Sequence, residues 1–292
     1  MSAAQTVHVT GLNVFPVKSC RGIALREALL TARGLEHDRE WMIVDAAGRF
    51  LTQRQLPRLA LIETELTADA LRLRAPGQGT LDVPLALRQM PRLRVEVWRH
   101  GCEAFDEGTT PAKWFSDFLG GNFRLVRFDP AHRRLSDQDE TGGVEAENRF
   151  SDGYPLLVLS EESLAELSRR IGGSAPLPMN RFRPNLVITG AGPHSEDRAR
   201  ALIGDGIELR MATPCIRCRI TTTDQMTAEV GKEPLRTLAT YRRDEQLDGV
   251  KFGMNAIVIN GAGVRLTVGM DLRVEQPRTR VRAISINAKW AD

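Results

Sequence analysis

Several residue types are scarce in this sequence, and each scarcity excludes a class of protein. Four cysteines in 292 residues are too few for a disulfide scaffold, which favours a reducing, cytoplasmic setting. No apolar run approaches the roughly 20 residues of a membrane helix, and the N-terminus lacks the pattern of a secretory signal. The net charge of +3 is too small to indicate nucleic-acid binding. We therefore expect neither a membrane nor a nucleic acid as partner.

Strand patterns dominate what remains, with a few helices between them. In the first part, short apolar segments alternate with Gly, Pro or polar breaks, a pattern typical of a sandwich or barrel. Gly48 supplies the turn of a predicted hairpin, and Thr110 is the predicted N-cap of a helix that Gly120 ends. In the second part, Ser160 caps another helix. Because no regular βαβ alternation occurs, we predict a strand-rich α+β protein rather than a doubly wound fold.

A polar segment at residues 136–153 separates the two parts. It has no hydrophobic period and contains Gly142–Gly143, so it is predicted as a linker, a mobile lid or both. The domain boundary is predicted just before it, near residue 126. This gives a first domain at residues 6–126, a second at 127–276 and a C-terminal tail at 277–292.

The fragment "TPCIRCRITTTD" contains a C-x-x-C pair, Cys215 and Cys218. A structural zinc site needs four ligands, and the two other cysteines and five histidines lack the spacing to supply them. The spacing matches no ferredoxin pattern, and the β-branched "RITTTD" predicts a strand where a thioredoxin-like site needs a helix. Two readings stay open: buried small residues, or a reactive thiolate favoured by Arg217 and Arg219.

Basic residues near the N-terminus have the chemistry to hold an anion. Lys18 and Ser19 follow a predicted strand that ends at Pro16, and turn amides with a lysine and a hydroxyl suit a phosphate. Arg39 follows Asp38 at the start of an apolar strand. The alternatives are a solvated turn for the first pair and a surface ion pair for the second.

Two further fragments place polar side chains beside predicted buried strands. Arg183 and Asn185 flank Pro184, whose fixed backbone would aim both side chains reproducibly. The alternative is a strand entry held by side-chain hydrogen bonds. Asp152 and Gly153 end the polar segment in "FSDGYP". Each of these signals is weak when taken alone.

Seven fragments in order resemble the MOSC-domain family. They are "PVKSC", "DREWMIVD", "FSDGYPLLVLS", "RFRPNLVITG", "PCIRCRITTTD", "EPLRTLATYRR" and "FGMNAIVING". The resemblance is to the branch of bacterial YcbX and the mitochondrial amidoxime-reducing component, and it runs from about residue 7 to residue 275. It implies an N-terminal MOSC β-barrel-like domain followed by a MOSC β-barrel domain with a few helices.

The resemblance also implies a molybdenum cofactor, in which molybdopterin chelates the metal. By this mapping Cys218 is the metal ligand and the catalytic residue, while Cys215 is a packed small residue. Asn255 stands where the amidoxime-reducing branch has an aromatic residue, which implies a different substrate preference. The resemblance also implies pyridoxal phosphate as a second cofactor. The implied cofactor-binding residues are Lys18, Ser19, Arg39, Asp152, Gly153, Arg183, Asn185, Arg217 and Asn255.

The implied reaction is the reductive cleavage of the N–O bond of amidoximes, hydroxylamines and N-hydroxylated bases. Bacterial YcbX carries a C-terminal ferredoxin-type domain, whereas no cysteine follows Cys218 here. A separate electron-transfer protein is therefore expected: a ferredoxin, a flavodoxin, or a cytochrome b5-like protein with its reductase. The alternative function is a non-redox MOSC protein that binds the cofactor or carries sulfur as a Cys218 persulfide.

Overall fold

A computed structural model describes residues 5–173 and 176–276. The predicted tail at 277–292 lies outside the described residues. The helices are α1 (Thr109–Leu119), α2 (Glu161–Ile171) and α3 (Leu235–Ala239). The strands are β1 (Thr6–Val14), β2 (Ile23–Leu25), β3 (Glu27–Thr31), β4 (Gly34–Leu35), β5 (Trp41–Val44), β6 (Glu63–Leu66), β7 (Ala70–Arg74), β8 (Leu81–Pro84), β9 (Arg92–Val97), β10 (His100–Asp106), β11 (Arg124–Phe128), β12 (Leu156–Ser160), β13 (Leu186–Thr189), β14 (Ala201–Gly204), β15 (Ile207–Ile216), β16 (Arg243–Asp244), β17 (Gly249–Asn260), β18 (Arg265–Thr267) and β19 (Asp271–Glu275).

The largest sheet closes into a barrel. Its strands follow the order β12-β13-β1-β19-β14-β15-β17, and β17 pairs with β12 to complete the ring. Every pairing in the ring is antiparallel except β12 with β13. Alternate residues of β1, such as Val7 and Val9, point into the barrel core together with Val158 and Leu209. The predicted strand-rich α+β class is confirmed.

The first strand of the chain is part of this barrel. It lies between β13 and β19, which come from the far end of the sequence. The domain boundary near residue 126 stays a prediction, and β11 runs across that position.

A second core lies under the remaining strands of the N-terminal half. The sheet β5-β11-β10-β9 and the sheet β6-β7-β8 contribute to it, and α1 packs on it. The apolar side chains of α1, Trp114, Phe115 and Phe118, are all buried there. The apolar face of α1 thus supplies the aromatic part of this core.

The predicted N-cap of α1 was wrong by two residues. The helix begins at Thr109, and Gly108 is its N-cap with φ at 95°. The Ala112 amide donates to the Gly108 carbonyl at 3.2 Å, so the first helical bond starts two residues earlier than predicted. Pro111 is tolerated inside the first turn because amides there have no helical partner. Gly120 ends the helix in the left-handed conformation, as predicted.

The helix that Ser160 caps is confirmed. The Ser160 Oγ accepts a hydrogen bond from the Ser163 amide at 3.1 Å, and Gly172 ends the helix. The predicted hairpin around Gly48 forms only in part. β5 is its first strand, but beyond the turn only Phe50 makes a bridge to Val44.

The strand predicted over "RITTTD" was wrong. Arg219–Thr222 form a 3-10 helix, with Cys218 at its N-terminal end. The physical reason lies in the threonine hydroxyls: Thr221 Oγ1 donates to the Cys218 carbonyl at 3.0 Å, and Thr222 Oγ1 donates to the Arg219 carbonyl at 2.7 Å. Bonds from a side chain to a carbonyl three residues earlier stabilise a turn and compete with a strand ladder. This places Cys218 in a turn rather than in a strand.

The polar segment after β11 packs against the rest of the molecule. Phe150 lies in a core cluster with Phe128, and Asn148 is fully buried. Arg134 is also nearly buried, and it donates to the carbonyls of Ser151 at 2.7 Å and Asp152 at 2.8 Å. A buried guanidinium that binds backbone carbonyls holds this loop in one conformation and so orients Asp152.

Candidate functional site

All ten predicted site residues line one pocket. They come from loops that converge at one end of the barrel, after β1 and β15 and before β5, β12 and β13, with Asn255 from β17 itself. These residues are Lys18, Ser19, Arg39, Asp152, Gly153, Arg183, Asn185, Arg217, Cys218 and Asn255. Their roles towards a cofactor stay predictions, but their proximity is a property of the fold.

Four non-glycine residues of the pocket have left-handed backbone conformations. The φ angles are 69° at Ser19, 47° at Arg39, 57° at Trp98 and 57° at Arg183. Such conformations are uncommon for side chains of this size and cost of order 1–3 kcal/mol each. They persist where surrounding structure holds them, and they concentrate at binding sites. The backbone therefore points to this pocket as the functional site independently of its side chains.

Lys18 and Asp152 form an ion pair in the pocket. The Lys18 Nζ donates to Asp152 Oδ1 at 2.6 Å and to the Phe150 carbonyl at 2.7 Å. Burial lowers the pKa of Lys18, and Asp152 opposes this effect. Enclosure in the cleft acts to raise the pKa of Asp152, but Lys18 and Trp98 outweigh it and hold that pKa well below its usual range. Asp152 is therefore an ionised carboxylate at neutral pH, and its side chain remains 66% exposed to the pocket.

Changing Asp152 to asparagine is expected to make stability less dependent on acid pH. In the unfolded chain the carboxyl titrates near 3.8, above its pKa in the folded protein. Its stabilisation is therefore complete above that value and is lost as the pH falls through the folded pKa. The wild type should exceed Asp152→Asn in free energy of unfolding near pH 6, and the gap should narrow near pH 3.

Urea unfolding at both pH values measures this gap. The matched control is Asp139→Asn, which changes an exposed carboxylate of the same loop and is expected to have little effect at either pH. An equal gap for Asp152→Asn at the two pH values would contradict the proposed linkage.

Arg39 and Arg183 form a cationic pair around Phe15. Their guanidinium carbons lie 4.3 Å and 4.2 Å from the centre of the Phe15 ring. Arg39 Nη1 donates to Asp38 at 2.5 Å, whereas Arg183 Nη1 donates only to the Cys20 carbonyl, at 2.6 Å. The Arg183 Nη2 is buried and has no hydrogen-bond partner among the described residues. Burial, and then the nearby Arg39, lower the pKa of Arg183 to about 9.

An unpaired buried donor is costly, and a guanidinium binds oxyanions through two parallel hydrogen bonds. The pair has one aspartate for two cations, so its charge is incompletely compensated by the protein. We conclude that this part of the pocket suits an anionic group such as a phosphate.

The cysteine pair is arranged differently from the prediction. Cys218 is exposed in the pocket, but the Arg217 Nη1 contacts the Sγ of Cys215, at 2.8 Å. The second Arg217 nitrogen, Nη2, donates to the Phe182 carbonyl at 2.7 Å. Burial raises the pKa of the Cys215 thiol, and Arg217 opposes this effect. Cys215 is half-buried and lines the same pocket, and its role as a packed small residue stays a prediction.

Asn185 serves mainly to position other groups. Its Oδ1 accepts hydrogen bonds from Arg39 at 3.0 Å and from the Leu157 amide at 3.2 Å. Its Nδ2 donates to the Asn13 carbonyl at 3.1 Å, and the residue is only 1% exposed. The side chain therefore joins three strands and holds the Arg39 guanidinium. Both sequence readings of Asn185, as pocket residue and as strand-entry anchor, describe part of this arrangement.

The comparisons with known proteins identify the family of this chain. Residues 6–122 match the "MOSC N-terminal beta barrel domain" and residues 145–283 match the "MOSC domain". Mitochondrial amidoxime-reducing component 1 of Mus musculus is 37% identical over 257 residues, which cover 84% of this chain and 74% of that protein. This chain belongs to the MOSC-domain family.

Further relatives of this MOSC protein carry related names. Mitochondrial amidoxime-reducing component 1 of Homo sapiens is 35% identical over 261 residues, covering 85% of this chain and 76% of that protein. The molybdenum cofactor sulfurase of Oryza sativa subsp. japonica is 33% identical over 263 residues, covering 82% of this chain but 31% of that protein. No helix in the described part of the MOSC protein has the length and apolar character to span a membrane.

Several pocket residues of the MOSC protein were missed from the sequence. Trp98 is the one with a detectable signal, because an aromatic residue occupies the short turn between two strand patterns, where Gly or Asn is usual. The others are ordinary side chains brought in by the fold. The missed residues with polar or aromatic groups are Thr52, Arg54, Trp98, Ser151, Tyr154, Phe182, Cys215 and Thr221.

Proposed function

We propose that this MOSC protein is a molybdenum-cofactor-dependent oxidoreductase that reduces N-hydroxylated compounds such as amidoximes, hydroxylamines and N-hydroxylated bases. One observation carries the proposal: the ten residues that the family resemblance marks converge on one pocket that combines incompletely compensated cations with an exposed thiol. The names of the relatives, amidoxime-reducing components, support the same reaction class.

The residues present fit such a cofactor. The orphaned Nη2 of Arg183 and the buried Nε of Arg217, which has no partner among the described residues, are donors that an anionic, oxygen-rich ligand would satisfy. Lys18 and Arg39 add charge on the same side. Cys218 supplies a soft sulfur ligand of the kind that binds transition metals. We propose that these residues hold the cofactor, with Cys218 as the ligand to molybdenum.

The bound cofactor would supply the two electrons that the reaction needs. Conversion of N–OH to N–H consumes two electrons and two protons and releases water. Asp152 is ionised at neutral pH because its pKa is held low, so it acts as a hydrogen-bond acceptor and anchor and not as the proton donor. Lys18 keeps Asp152 in place, and Asn185 keeps Arg39 in place.

The electron donor and the location are part of the same proposal. We propose a separate donor protein, a ferredoxin, a flavodoxin or a cytochrome b5-like protein with its reductase, and a cytoplasmic location. The relatives named above are called mitochondrial, and that word describes those proteins.

A second candidate function is sulfur transfer through a Cys218 persulfide. Two observations favour it: the exposed position of Cys218 and the likeness to a molybdenum cofactor sulfurase over 82% of this chain. In this function the arginines of the pocket would bind the cofactor as the acceptor of sulfur, and a thiol reductant would supply the two electrons that convert the outer persulfide sulfur to sulfide.

The test is expression in a host that makes molybdopterin. We expect about one molybdenum per chain and reduction of benzamidoxime to benzamidine with an artificial electron donor. Near-zero molybdenum in folded protein would refute the cofactor. Bound molybdenum without reduction of any N-hydroxylated compound would refute the reaction. A persulfide on Cys218 in metal-free protein, found by mass spectrometry, would favour the sulfur-transfer function.

A further inference from the structure

An aromatic platform lies at the wall of the pocket. It consists of Trp98, Arg54 and Phe50. The Arg54 guanidinium lies over the Trp98 ring at 4.3 Å, and the Phe50 ring is 5.2 Å from it at an interplanar angle of 55°. Trp98 is 41% exposed, and both Trp98 and Arg54 line the pocket. A large flat indole that faces a polar cleft is an unusual exposure of apolar surface.

The backbone at Trp98 is unfavourable for a tryptophan. Trp98 and Arg99 form the two-residue turn between β9 and β10, and Trp98 has φ at 57°. Turns of this length place their first central residue at positive φ, where Gly, Asn or Asp are the usual residues. A bulky aromatic side chain there carries strain that the turn itself does not require. The presence of tryptophan at this position is therefore best explained by a function of its side chain in the pocket.

The ring is held in a defined position relative to the ion pair. The indole Nε1 donates to Asp152 Oδ1 at 3.1 Å, the same oxygen that accepts from Lys18. The cation of Arg54 over the indole and the hydrogen bond at its edge restrict the ring in two directions. Trp98 is contacted by Arg54 and Phe50 and still leaves 41% of its surface exposed, so it can contact a planar ligand without a further loss of side-chain freedom on binding.

We propose that the aromatic platform selects planar, aromatic N-hydroxylated substrates by stacking them on Trp98. The preference for an N-hydroxylated group rests on the proposed function, whereas the preference for an aromatic ring rests on the platform alone. Stacking is tolerant of the ring's substituents because every aromatic ring presents a π face. Aliphatic N-hydroxylated compounds lack that face and gain nothing from the platform.

The test compares benzamidoxime with acetamidoxime, which share the N-hydroxylated group and differ in the ring. Dissociation constants are measured by calorimetry on cofactor-loaded protein, and reduction rates are measured in parallel. Trp98→Asn places a residue that tolerates positive φ in the turn and removes the ring. In this variant the ratio of the dissociation constants of acetamidoxime and benzamidoxime, which measures the preference for the ring, should fall about fivefold to tenfold. Trp98→Phe, which keeps a ring but lacks the indole N–H, should retain most of it.

The matched control is Phe105→Leu in β10, which removes an aromatic ring outside the pocket from the same sheet. Its preference should equal that of the wild type. An undiminished preference in Trp98→Asn, or equal binding of both compounds by the wild type, would overturn the proposal. Ring-dependent binding without reduction of either compound would reject the proposed function and leave the platform supported.

Discussion

Replacing Cys218 with alanine is expected to remove the molybdenum from the loaded protein and abolish its reductase activity. Cys218 is the exposed thiol of the pocket, and the 3-10 helix that follows keeps it at the end of β15, facing the same cleft as Lys18 and Arg183. Loss of groups that merely support a metal ligand lowers affinity about 10- to 100-fold. Loss of the ligand itself should cost at least as much, so molybdenum per chain should fall below about one tenth of the wild-type content.

The matched control for this experiment is Cys215→Ser. Cys215 is three residues away, lines the same pocket and contacts Arg217 at 2.8 Å. Serine preserves a small polar partner for that guanidinium, so we expect this variant to retain most of its molybdenum. Equal loss of molybdenum in both variants would mean that both cysteines are needed to hold the metal. Unchanged metal in Cys218→Ala would refute the assignment of Cys218 as the ligand.

Arg183→Gln is expected to weaken cofactor binding strongly without destabilising the cofactor-free protein. The Arg183 Nη2 is a buried donor with no partner among the described residues, and Arg39, with the same charge, contacts the same Phe15 ring. Burying this charge therefore costs free energy in the empty pocket, and glutamine removes that cost. When an anion binds, the same guanidinium gains charge-assisted hydrogen bonds of about 1.5–3 kcal/mol each.

The expected loss is about 10- to 100-fold in cofactor affinity, since 1.4 kcal/mol corresponds to tenfold. Differential scanning calorimetry should show a melting temperature for cofactor-free Arg183→Gln that is no lower than that of the wild type. Cofactor content after loading gives the second measurement. These two results together distinguish a binding residue from a structural one, for which stability and content would fall together.

Arg181→Gln is the matched control for this second experiment. Arg181 lies two residues away in a 3-10 helix and pairs with Asp224 at 2.8 Å, outside the pocket. Its loss should lower stability modestly and leave cofactor content unchanged. Normal cofactor content in Arg183→Gln would contradict the role of Arg183 in holding an anion.

Local patterns predicted those features that depend on neighbouring residues. The Ser160 cap of α2 was predicted correctly, because capping acts over a few residues. The strand predicted over "RITTTD" was wrong because local side-chain hydrogen bonds compete with the backbone bonds of a strand. This segment forms a 3-10 helix because the hydroxyls of Thr221 and Thr222 donate hydrogen bonds to backbone carbonyls three residues earlier. The β-propensity of threonine does not predict this outcome.

The ordered motifs of the sequence were sufficient to name ten of the residues that line the pocket, along with the strand-rich class of the fold. The tertiary structure decided how they meet: β17 closes the barrel by pairing with β12 across about one hundred residues of chain, and β1 joins strands from the far end. It also decided that Arg217 faces Cys215 and that Trp98 reaches Asp152. Such contacts depend on non-local strand register and side-chain direction, which a short stretch of sequence does not determine.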